Sequence, residues 1–207
     1  MPAVIVMFIS FKDTLEEAEV AMQNVEADHP SGTLLEQLCT PSTFSQEFAF
    51  QIFASPPEHH YIVDNAWMSN QADVVALLEE SVRSVPNKTS LLMYMPVTSS
   101  QRPVKGDPAF SLQSKHYVSL YAGWKDERDE EDSASWVRKA FETLAPHSIG
   151  SMVSDFDFQR RETPLWDEEK GAQIMALRQK WDPEGRFAGF LYDDDKNGIA
   201  GLRTKFS

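Results

Sequence analysis

The chain has 207 residues, enough for one large domain or two small ones to bury a core. Hydrophobic residues make up 42% and charged residues 25%, ordinary globular values that exclude a disordered chain. The formal charge of -13, from 32 acidic against 19 basic residues, would repel a phosphate backbone and an anionic membrane surface, so the expected partners include neither nucleic acid nor membrane. The single cysteine, Cys39, can form no internal disulfide, which fits a reducing, cytoplasmic setting.

In chain order, the run Val4 to Phe11 is apolar and β-branched and predicts a buried first strand. It is too short for a signal peptide or a membrane span and meets Lys12 and Asp13 directly. Thr14-Leu15-Glu16-Glu17 then reads as a capping box opening a helix to about Ala27. Phe48 to Phe53 and Tyr61 to Met68 read as two strands of a hairpin, turned by Ser55-Pro56-Pro57-Glu58. Ser69-Asn70 can cap a helix with Val74, Val75, Leu77, Leu78 and Val82 as its apolar stripe, and Pro86-Asn87 ends it before a strand from Ser90 to Val97.

That order, βαββαβ, predicts an α+β fold: a ferredoxin-like antiparallel sheet with helices on one face and the other face open, extended by further strands and helices. The segment from Ser99 to Ser114, rich in Ser, Pro, Lys and Gly, reads as a surface loop that could serve as a lid. His116 to Trp124 is expected as a strand and Lys125 to Asp132 as an acidic turn. Ser133 to Leu144 is expected as a helix burying Trp136, Val137, Ala140, Phe141 and Leu144, and Ile149 to Phe156 as a further strand. A helix over about Glu168 to Lys180 precedes a polar tail at 192–207, leaving residues 1–191 as one folded domain.

Three segments carry a family resemblance: Lys115-His116-Tyr117-Val118-Ser119-Leu120-Tyr121-Ala122-Gly123-Trp124, the helix around Ser135-Trp136-Val137-Arg138, and Leu177-Arg178-Gln179-Lys180-Trp181-Asp182-Pro183-Glu184-Gly185-Arg186-Phe187. In order and spacing they resemble the C-terminal, substrate-binding part of berberine-bridge-type FAD-linked oxidases. The resemblance implies an antiparallel sheet presenting its open face to flavin and substrate, with a flavin-binding domain that has no counterpart in these residues. No glycine-rich pyrophosphate loop occurs in the sequence. Where the family has a flavin-facing asparagine and a nearby arginine, the corresponding positions here are Lys170 and Gln173, so the expected cofactor is none.

Side chains alternate along a strand, which sets Val118, Leu120 and Ala122 on one side and Tyr117, Ser119 and Tyr121 on the other. The apolar set should face the helices. The resemblance places the polar set where the family meets flavin and substrate, and a solvated sheet face is the competing reading. On the strand before it neither side is cleanly apolar, Tyr61, Val63, Asn65 and Trp67 alternating with His60, Ile62, Asp64, Ala66 and Met68; an amide beside an aromatic plane favours Asn65 and Trp67 as pocket residues. The candidate site is therefore Tyr117 and Ser119 as catalytic donors, with Tyr121, Asn65, Trp67, Gln51 and Met93 binding substrate.

His59, His60 and Asp64 are a weak metal set, because adjacent histidines on a strand point to opposite faces. Asp193, Asp195, Asn197 and Gly198 open like a calcium loop, but Thr204 stands where a bidentate Glu is required. Asp155 and Asp157 could form an acid and base pair on one side of a strand. Together these readings lead to an expectation of a flavin-independent protein of secondary metabolism that binds a small organic substrate and acts as a non-redox cyclase, Diels-Alder type included, or isomerase. The alternative is a substrate-domain subunit or fragment of a FAD-dependent oxidoreductase. A homodimer would cover the apolar surface left without the flavin domain.

Overall fold

A computed structural model describes residues 3–27, 32, 40–97, 110–112, 114–156, 161, 163–184 and 186. The chain divides into two compact units, Met1–Pro57 and Glu58–Ser207.

The first unit contains helices α1 (Leu15–Ala27) and α2 (Phe44–Ala54). Thr14 caps α1 as expected, the Glu17 amide donating to the Thr14 hydroxyl at 3.2 Å. The run Val4 to Phe11, expected as a strand, has no strand partner among the described residues, and Val4 and Ile5 are at least 80% exposed. An apolar run becomes a strand only where a ladder neighbour takes its backbone hydrogen bonds.

The second correction is α2, which replaces the expected strand Phe48 to Phe53 and with it the hairpin. Its cause is a capping box: the Thr43 amide donates to the Gln46 side-chain carbonyl at 2.9 Å, and the Gln46 amide donates back to the Thr43 hydroxyl at 3.3 Å. Two orphan donors are satisfied at once, which fixes the first helical turn ahead of the Phe-rich stretch.

The second unit is built as β1 (His60–Met68), α3 (Val74–Arg83), β2 (Leu91–Pro96), β3 (His116–Trp124), α4 (Glu130–Leu144), β4 (Ser148–Gly150) and α5 (Glu168–Trp181). The sheet runs β2-β3-β1-β4 with all neighbours antiparallel. This is the expected ferredoxin-like βαββαβ, with its starting point moved: the motif opens at His60, and the strand expected third is the first.

Inside the motif, α3 is capped by Asp73, whose carboxylate accepts from the Ala76 amide at 3.1 Å; neither Ser69 nor Asn70 caps it. The side-chain oxygen of Asn70 instead accepts from the Lys115 amide at 2.8 Å, tying the loop after β1 to the start of β3. The acidic turn before α4 is a single 3-10 turn, and α4 starts at Glu130. β4 stops at Gly150, so most of the strand expected over Ile149 to Phe156 is turn. Gly150 sits at φ +146°, and a Cβ there would run into the carbonyl of Pro164 and the side chain of Leu112.

The core lies between the sheet and helices α3 and α4. Ile62, Ala66 and Met68 of β1 and Val118, Leu120 and Ala122 of β3 face Leu78 of α3 and Trp136, Val137, Ala140, Phe141 and Leu144 of α4. The indole N–H of Trp136 donates to the carbonyl of Ser81 at 2.9 Å, so this buried aromatic ties the two helices together and leaves no donor unpaired.

Candidate functional site

The face of the sheet turned away from α3 and α4 is assembled by register. β1 runs antiparallel to β3 with Trp67 opposite Tyr117, Asn65 opposite Ser119 and Val63 opposite Tyr121. β2 adds Met93 opposite Ser119 and Met95 opposite Tyr117. Six of the residues singled out from sequence, Tyr117, Ser119, Tyr121, Asn65, Trp67 and Met93, therefore share one face. The seventh, Gln51, lies on α2 of the other unit, on a helix and not on the strand expected for it, and its side chain is outside the described residues.

The middle of this face is neither open nor solvated, whereas Met95 and Tyr61 on its flanks are exposed. Asn65 and Ser119 are fully buried and Tyr117 is 1% exposed. Trp67, Tyr117 and Leu112 form a second apolar cluster with Met93, Val97, Phe110 and Met152 packed against it. The Trp67 ring lies 4.9 Å from that of Tyr117 and 5.6 Å from that of Phe110, tilted against both. The expected lid over Ser99 to Ser114 falls mostly outside the described residues; its described end, Phe110 to Leu112, is part of this covering.

Within that apolar layer three polar atoms have no hydrogen-bond partner among the described residues: Trp67 Nε1, Tyr117 Oη and Ser119 Oγ. Leaving a buried donor or acceptor unpaired costs about 1–3 kcal/mol, and native interiors hold few such groups. Burial pushes the Tyr117 phenol well above the usual tyrosine range, and the nearby Tyr121 and Asp155 push it the same way. The Ser119 hydroxyl opposes that shift in part, although no bond of normal geometry joins the two side chains. Tyr117 is thus a protonated hydroxyl at any ordinary pH.

Tyr121, half-buried at the rim, donates to the Asp155 carboxylate at 2.8 Å. Burial, and then that bond, raise its pKa to about 12. Asp155 itself is at φ +54°, a left-handed conformation that aspartate tolerates better than most residues. What holds it there is Asn65. The two amide hydrogens of Asn65 are shared among the carbonyls of Met152 at 3.1 Å and of Ser154 and Asp155 at 2.9 Å, while its carbonyl accepts from the Met152 amide at 2.7 Å. Asn65 therefore shapes the wall of the site, and its hydrogen-bonding capacity is spent on backbone.

Behind the same wall, the Asp64 carboxylate accepts two bonds from Arg161, at 3.0 Å and 2.8 Å, with both side chains about nine-tenths buried. Arg161 also donates to the carbonyl of Asn65 at 2.9 Å and the hydroxyl of Ser151 at 2.8 Å, and lies 4.7 Å over the Phe141 ring. Asp155 was expected only as one of a carboxylate pair on a strand, and Arg161, Phe110 and Leu112 were not legible as site residues. They sit in irregular segments, and only the three-dimensional path of the chain brings them to the sheet.

Other constellations do not assemble. The His60 ring stacks on Trp124 at 5.9 Å, the His59 ring lies 6.3 Å from Tyr61, and Asp64 is committed to Arg161. Among the described residues no group of three or more His, Cys, Asp or Glu side chains converges. Asp155 is not on a strand, whereas Asp157, Cys39 and the acidic loop from Asp193 lie outside the described residues. On α5, half-buried Lys170 donates to the side chain of Gln173 at 3.0 Å. No helix among the described residues is long and apolar enough to cross a membrane.

No family model matches the sequence. Curated relatives do: the chain is 28% identical over 191 residues to the FAD-linked oxidoreductase ptmO of Penicillium ochrochloron, covering 92% of this chain and 42% of that protein. It is 27% identical to penO of Penicillium crustosum over the same shares, and 24% identical to nodO of Hypoxylon pulicicidum, covering 93% of this chain and 43% of that protein, both described in the same words. The chain thus spans little more than two-fifths of the length of these relatives. Among solved structures, a variant of Physcomitrella patens BBE-like 1 aligns over 80% of this chain and 34% of its own, with a TM-score of 0.49 and 14% identity.

Proposed function

Because the chain is a homologue of part of the FAD-linked oxidoreductases, we propose that it supplies the substrate side of such a site, binding a small organic molecule on the sheet face of Trp67, Tyr117 and Ser119. The observation that carries this reading is the trio of buried polar atoms without partners. A fold gains nothing from keeping three such groups in one apolar layer, so a ligand that hydrogen-bonds them accounts for their retention.

The chain does not fit a whole flavin dinucleotide by itself. Its nine glycines include no GxGxxG turn, and the strand residues of the sheet face around Tyr117 include no lysine or arginine to meet a pyrophosphate. It would contribute binding and orientation, with the redox group held by other residues. A second reading, cyclisation or isomerisation without flavin, is favoured by one feature: Tyr117 stays protonated and can polarise a substrate carbonyl.

The test is a titration of the full chain with lumiflavin and with 2-acetylnaphthalene, followed by tryptophan fluorescence. Trp67 is one of five tryptophans, so a ligand on this face should quench part of the emission saturably, and Trp67→Phe should abolish that part alone. Quenching that never saturates, or that survives Trp67→Phe, contradicts the reading.

A further inference from the structure

The unpartnered atoms also restrict the chemistry of what could satisfy them, an inference that rests on the binding face proposed above. Trp67 Nε1–H can only donate, Tyr117 presents a protonated phenol, and Ser119 adds a hydroxyl that donates or accepts. One donor-only group, the indole N–H, and a phenol that donates or accepts therefore lack a partner among the described residues.

Charge narrows the choice further. The strand residues that share this face on β1, β2 and β3 include no lysine, arginine or histidine. The carboxylate at its rim, Asp155, is anionic and accepts from Tyr121, and the guanidinium behind the wall, Arg161, is held bidentately by Asp64. An anionic ligand would bury its charge in a layer of Met93, Val97, Phe110, Leu112 and Met152 with an acidic group beside it. A cationic ligand without an acceptor would leave the Trp67 N–H unsatisfied, because that group can only donate.

We propose that this face selects an uncharged, largely apolar ligand carrying a carbonyl oxygen, which Trp67 and Tyr117 hydrogen-bond together, and that it discriminates against carboxylates of the same shape.

Three matched probes separate the possibilities: 2-acetylnaphthalene, a neutral ketone; 2-naphthoate, a carboxylate on the same ring; and 2-ethylnaphthalene, which has no acceptor. Equilibrium dialysis against the full chain at pH 7.5 should show the ketone binding at least tenfold more tightly than either of the others. Tyr117→Phe and Trp67→Phe should each bring the ketone toward the ethyl compound, with unfolding midpoints recorded to confirm that both variants fold. Should naphthoate or ethylnaphthalene bind as well as the ketone, with binding still lost in Trp67→Phe, the selectivity is overturned and the binding face stands. A ketone preference unchanged in both variants places the probe elsewhere and overturns the inference. If none of the probes binds, and lumiflavin does not bind either, both the selectivity and the binding face fall.

Discussion

The two faces of one sheet are built to different rules. On the face toward α3 and α4, Ile62, Ala66, Met68, Val118, Leu120 and Ala122 are close to fully buried in a continuous apolar core, and the indole of Trp136 packed in that core has its N–H paired. On the opposite face Trp67, Tyr117 and Ser119 are just as buried, yet each keeps a polar atom without a partner among the described residues. The difference teaches that burial alone does not identify a structural core. A layer that excludes water and leaves its donors unpaired is organised around something other than folding free energy.

The largest expected effect comes from breaking the wall behind the polar face. Arg161→Met removes the bidentate partner of a buried carboxylate and should lower the unfolding free energy by about 3–5 kcal/mol, because the Asp64 side chain then loses its ion pair in a dry environment. Urea unfolding measures it, and a loss below about 1 kcal/mol would mean that the pair is not buried in solution. Next comes Leu120→Ala, which empties a fully buried site in the helix-side core and should cost about 2–5 kcal/mol in the same measurement. Its neighbour on the strand, Ser119, points to the other face, so the comparison predicts opposite signs for truncations one residue apart.

Much of this architecture was readable from side-chain periodicity. β3 runs from His116 to Trp124 as its alternation indicates, with Val118, Leu120 and Ala122 on the helix side, and α4 buries the five residues its 3.6-residue spacing picks out. The topology was also legible, but its starting point was not. The apolar run at Val4 to Ile9 has the composition of a strand without a ladder partner, and the Phe-rich stretch after Thr43 follows a capping box that outweighs its β-forming residues. The polar trio could be placed on one face from strand parity. That its atoms lack partners could not be, since this depends on where Met152, Phe110 and Leu112 arrive. The same is true of the clamp between Asp64 and Arg161, which are 97 residues apart.

The central claim is that the hydroxyls of Tyr117 and Ser119 are kept for a ligand and not for the fold. The most direct test is the unfolding free energy of Ser119→Ala and Tyr117→Phe against the unsubstituted chain, measured by urea titration without added ligand. Each substitution deletes a buried polar atom that has no partner to lose. The account predicts unchanged stability or a gain of up to about 1 kcal/mol, together with loss of the ketone's binding advantage in Tyr117→Phe. A loss of more than about 1 kcal/mol in either variant would contradict it, by showing that the hydroxyl is hydrogen-bonded within the folded protein.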